Sequence, residues 1–123
     1  MELGTWLIVL GRIALGGAFF VAGVRNLLGF RMLAPSMAQL GTPLPRVALG
    51  IGIALQILCG AALAFGFYPA WAAAGLALFV VVATAIFHRF WEHQGQERVQ
   101  HVNGFISNVA LVGGFLLAVA VSL

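Results

Sequence analysis

All three histidines of this chain, His88, His93 and His101, stand in the short stretch HRFWEHQGQERVQH, spaced H-x4-H-x7-H. Neutral imidazole is a common ligand of transition metals. The spacing matches neither the HExxH of zinc proteases nor a CxxC-type zinc pattern. The single cysteine, Cys59, lies far away in an apolar run. We therefore expect no metal centre; His88, His93 and His101 are the candidates if there is one. A second chemistry is suggested by Arg12, a guanidinium inside an apolar run. A charge within a membrane span costs several kcal/mol unless paired, hydrated or snorkelled, so it defaults to a functional hypothesis. Arg12 either binds a small oxyanion or polarisable carbonyl, such as a quinone head group, or snorkels to the surface and caps backbone carbonyls.

Composition says where these groups live. The 123 residues are 63% hydrophobic and 7% charged, with a mean hydropathy of +1.09. A soluble domain is about half apolar and about a quarter charged. A small soluble domain cannot hide so many apolar side chains. Lipid must therefore cover most of the surface, in a single membrane domain. The net charge of +3 comes from arginines scattered at the flanks of apolar runs, which report topology and give no nucleic-acid signature. No thiol pair, nucleophile–base arrangement or cofactor motif is present, so catalysis by this chain alone is not expected.

Four apolar segments reach the roughly 20 residues that a spanning helix needs: 5–24, 46–66, 70–87 and 102–123. The fold class is thus an all-α membrane protein, a four-helix transmembrane bundle over residues 1–123. GFYP (66–69) reads as a tight turn, since Gly ends one helix and Pro starts the next. A structureless link of about 20 residues is improbable in a compact domain. Residues 25–45 are therefore expected to hold a short interfacial or re-entrant helix, broken at Pro35. The two long links carry Arg25, Arg31, Arg46, Arg89 and Arg98. The positive-inside rule places them in the cytoplasm and both termini outside. The loop around Glu92, His93, Glu97 and Arg98 is read as a wet turn, anchored at the headgroups by Phe90 and Trp91.

Helices in lipid associate through small residues. Stripes of small and polar residues run through Arg12, Gly16, Phe19 and Gly23; Gly52, Gln56, Gly60 and Ala64; Ala73, Ala77, Thr84 and His88; and Asn103, Ser107, Ala110, Gly114 and Ala118. Counting depth at about 1.5 Å per residue brings Arg12 and Gln56 within about 5 Å of one level, and the two are expected to meet. His88 should point inward at the cytoplasmic end, with Arg25, Arg46, Asn103 and Asn108 approaching it. That cluster either binds a ligand or partner or locks the helix ends together.

RIALGGAFFVAGVRNL (12–27), GTPLP (41–45), LQILCGAALAFGFYPAWAAAGLALFVVVATAIFHRFW (55–91) and NVALVGGFLL (108–117) resemble, in order and spacing, the DoxX family of small four-helix membrane proteins. The resemblance covers nearly the whole chain. It implies a bacterial or archaeal cytoplasmic membrane and a non-catalytic subunit or anchor of a redox system, with a redox enzyme as partner and quinone as the cofactor it would bring. The alternatives are a small-molecule or anion binding or carrier protein that uses buried Arg12, and a membrane chaperone or interaction protein without a ligand; a homo-oligomer is left open. Arg12, His88 and Asn108 match positions where the family carries polar residues. Gln56 stands where the family usually has glutamate, and Arg25 where it often has lysine.

Overall fold

The computed structural model describes residues 2–123. Five α-helices follow one another: α1 (Leu3–Leu28), α2 (Phe30–Gln39), α3 (Pro45–Phe65), α4 (Pro69–Phe87) and α5 (Gly95–Ser122), with a 3-10 turn at Phe90–Glu92. All except α2 are long and apolar enough to cross a membrane. The start of α1 and the end of α5 lie at one end of the bundle, here the terminal end. The links through α2 and through the 3-10 turn lie at the other, the link end.

The α3–α4 turn follows from its residues. Gly66 takes a left-handed φ of 76° after Phe65. Phe67 N donates to Ala62 O at 2.8 Å and Gly66 N to Leu63 O at 3.1 Å, the paired bonds of a Schellman cap. Pro69 then opens α4, where its missing N–H is no loss.

Two expected boundaries shift. The structure starts α5 at Gly95, so half of the polar link is helical, as apolar windows cannot see a helix continuing into water. Nor does Pro35 break α2; it lies inside the helix. Ala34 and Met37 on either side of it are buried against Leu49 and Ile53 of α3, and this packing holds the turn despite the lost backbone bond.

The antiparallel pair α1 and α3 meets on its glycines. A Cβ on Gly60 would stand 2.7 Å from Gly16 O and from Phe20 N, and one on Gly23 would stand 2.8 Å from the Gln56 and Ile57 side chains. Next in the row, α3 meets α4 through Cys59 against Gly75 and Phe79 against Gly52. α5 packs on α4 and returns to α1 near the terminal end, where Phe19 and Phe115 meet edge-on at 5.1 Å between ring centroids. Leu63, Leu76 and Phe115 are fully buried there. The α1, α3 and α4 stripes face inward as expected. In α5 the inward line is instead Gly104, Asn108, Leu111, Phe115, Ala118 and Ser122, while Asn103, Ser107 and Ala110 are exposed. Volume decided this: large Phe115 fills the core that small residues would leave empty.

Candidate functional site: a lipid-facing cavity with an amide wall

A cavity of about 470 Å³ lies between α3 and α4 in the link half. Its existence follows from how those helices pack. Toward the terminal end they are tied by the short turn and by buried Ala72, Ala73, Leu76 and Ala77; beyond Val80 no residue of α4 is buried. α2 closes the link end with Leu33 and Met37. Arg89 fastens that floor to α4: its Nη1 donates to Leu40 O at 3.0 Å and its Nε to Ala85 O at 2.8 Å. At the side, the cavity is rimmed by Ile51, Leu78 and Val82, which are exposed and face lipid.

The wall is otherwise apolar except for Asn26, Gln56, His88 and Asn108. Gln56 is 4% exposed. Its Oε1 accepts from Asn26 Nδ2 at 2.9 Å, which leaves its own NH2 free to donate. Asn108 Nδ2 donates to Thr84 Oγ1 at 2.9 Å, and that hydroxyl donates to Val80 O at 2.6 Å, leaving the Asn108 carbonyl free to accept. The site therefore offers neutral donors and acceptors. Among the described residues, no arginine or glutamate lines it.

Arg12 and Gln56 do not meet. Arg12 Nη2 donates to Ser122 Oγ at 2.9 Å at the terminal end, and its Nε is buried without a partner among the described residues. The depth count failed because it took α1 and α3 as ending level. The Gly16–Gly60 contact sets another register, in which α1 rises past the α3–α4 turn and Gln56 faces Gly23. Eleven residues, about 16 Å at ~1.5 Å per residue, separate Gly23 from Arg12. Arg25, Arg46 and Asn103 are exposed and do not line the cavity with His88; Asn108 does. Asn26 was missed, although the stripe 12, 16, 19, 23 reaches it at the next step of three.

The histidines do come together. His88 Nδ1 lies 3.4 Å from His101 Nδ1, and His93 stacks on His101 at 4.2 Å between centroids. Stacked rings present faces and not lone pairs to each other. No group of three or more His, Cys, Asp or Glu among the described residues could hold a metal ion.

Four membrane-crossing helices, with a short amphipathic helix closing one end, define a small multi-pass membrane protein. The DoxX family model matches residues 7–89, which include α2, α3 and α4, most of α1, and the site residues Arg12, Asn26, Gln56 and His88. The chain belongs to the DoxX family. It is 30% identical over 112 residues to the inner membrane protein YphA of Escherichia coli (strain K12), covering 90% of this chain and 79% of that protein. No solved structure gives a significant match.

Proposed function

We infer that the protein is a non-catalytic membrane subunit that takes the head of an uncharged, lipid-soluble molecule into the cavity between α3 and α4. The observation that carries this reading is a lipid-facing rim, Ile51, Leu78 and Val82, joined to a neutral amide wall, Gln56, Asn26 and Asn108. A head group entering from the bilayer exchanges hydrocarbon for hydrogen bonds while its tail stays in lipid. A carboxylate or phosphate would lose its hydration with no cation in the wall to replace it. Quinones are neutral, carry two carbonyl acceptors and have an apolar tail. The redox-linked role that the family resemblance implies enters through that fit: a membrane anchor whose redox enzyme docks on the link end. Arg12, bound to Ser122 at the other end, has no part in it. Exposed Arg25, Arg31, Arg46 and Arg98 at the link end favour a cytoplasmic link end and termini outside. The inner membrane relative supports the same membrane.

The test is thermal unfolding of detergent-purified protein with a short-chain quinone, a long-chain alcohol or a long-chain fatty acid, at a pH where the acid is ionised. A ligand at a hundredfold excess over its Kd adds about 2.7 kcal/mol of stability. The quinone is expected to raise Tm, the fatty acid to leave it unchanged, and Gln56→Leu to lose the shift. A quinone shift above that of the alcohol supports the redox link; equal shifts support a general lipid site. No shift with any neutral amphiphile, or an undiminished shift in Gln56→Leu, overturns the reading.

A further inference from the structure

His88 does more than line the cavity. Its ring fills a notch on α5 where Gly104 has no side chain, and any Cβ there would collide with the imidazole. So held, its Nδ1 faces His101 Nδ1 at 3.4 Å, with the ring planes inclined at 62°. Two ring nitrogens at that distance share a hydrogen bond when one of them carries the proton. His101 is half-buried, at the border of the polar first turns of α5. Its ring also stacks on His93, whose Nδ1 lies 3.3 Å from the exposed Glu97 carboxylate. The nearby cations are held elsewhere: Arg89 on Leu40 O, Ala85 O and Glu92, and Arg98 over the ring of Phe90. An unbroken pair of imidazoles thus joins the cavity to the aqueous edge of the link end.

We propose that His88 and His101 form a proton path between water at the link end and the cavity, so that a bound head group exchanges protons with that side of the membrane. A proton from water enters at His101 Nε2. The Nδ1 proton of His101 passes to His88 Nδ1, and the Nε2 proton of His88 passes to an oxygen of the head group. Each imidazole gains one proton and gives up one; ring rotation or the reverse transfer restores the starting tautomers. Imidazole suits this because it accepts on one nitrogen while donating from the other near neutral pH. His93 steadies the His101 ring by stacking and stands beside the path. For its ligand the inference rests on the cavity reading above, and it narrows that ligand to a lipid-soluble molecule with an oxygen that gains or loses a proton. Its test needs no ligand.

Ala83 lines the cavity. Ala83→Cys, made in a Cys59→Ala background, is alkylated with a bromoacetamido-nitrophenol, whose colour reports its own protonation. The purified, labelled protein in detergent is subjected to a rapid pH jump, and gel filtration checks that each variant is folded. His88→Gln and His101→Gln are each expected to slow the colour change at least about tenfold, and His93→Gln less than about twofold. The His101 variant keeps the test valid if His88→Gln fails to fold. Relaxation in His101→Gln as fast as in the labelled parent overturns the path. So does a His93→Gln variant as slow as His101→Gln. Because the nitrophenol is covalently placed, failure of neutral amphiphiles to stabilise the protein would sink the ligand reading without touching this result.

Discussion

The terminal and link halves of the bundle are built from the same kinds of residue and pack in opposite ways. In the terminal half, Gly16 and Gly60 bring the α1 and α3 backbones into contact, and Leu63, Leu76 and Phe115 exclude all solvent. In the link half, α4 buries nothing beyond Val80, and the space holds a cavity walled by amides and an imidazole. The connections match the packing. A three-residue turn pins α3 to α4 at the terminal end, while α2 and the longer 90s link allow separation at the other. Where small residues face small residues, lipid gains nothing by entering and dispersion holds the seam. Where polar groups face apolar ones, a ligand has something to gain. Rigidity at one end is what permits openness at the other.

The comparison breaks most severely at Gly60. A methyl group there meets Gly16 O and Phe20 N at 2.7 Å, and backbone cannot turn aside. Gly60→Ala should cost about 3 kcal/mol, read as a large fall in Tm and in monodisperse yield. In the link half the strongest single test is Gln56→Leu. Asn26 would lose its acceptor inside the membrane, a cost of about 1–2 kcal/mol. A double-mutant cycle with Asn26→Leu should show that most of this is pairwise, the double variant being no worse than either single one. If the two losses simply add, the 2.9 Å pair is not an energetic unit. The mildest of these link-half changes is Gly104→Ala. Its methyl also collides, but with the His88 ring, which can swing toward the cavity. About 1 kcal/mol is expected, with gel filtration unchanged. An effect as large as that at Gly60 would mean that the link half is as tightly packed as the terminal half.

The spanning helices and three of the four packing stripes were legible in the sequence because lipid imposes long, averaged signals: about 20 apolar residues per span, and small residues wherever backbones touch. The α5 stripe was misread by one position because Asn103 and Ser107 look like interior polar groups. They are exposed, while their neighbours Gly104 and Asn108 take the inward line against His88 and Thr84. Three of the four polar residues of the wall were legible. Gln56, His88 and Asn108 stood out as polar residues at depth; Asn26 hid beyond the assumed end of the first span, beside a more conspicuous Arg25. The cavity itself had no sequence signature. A void belongs to no residue, and this one depends on the angle at which α3 and α4 part and on where α2 docks.

The smallest expected effect tests the polar link at the terminal end. Arg12 donates to Ser122 Oγ at 2.9 Å, a bond as short as that between Asn26 and Gln56. Length alone would predict equal worth. The surroundings predict otherwise. Arg12 is only half-buried, near the exposed residues 66–68 and the end of α5, and its long side chain can carry the guanidinium to water once the hydroxyl is gone. Gln56 has no such exit. Ser122→Ala should therefore cost no more than about 0.6 kcal/mol, the average for hydrogen bonds between membrane helices, and leave Tm almost unchanged. A loss equal to that of Gln56→Leu would show that Arg12 cannot reach water, and that the terminal half also holds a polar group that needs a partner.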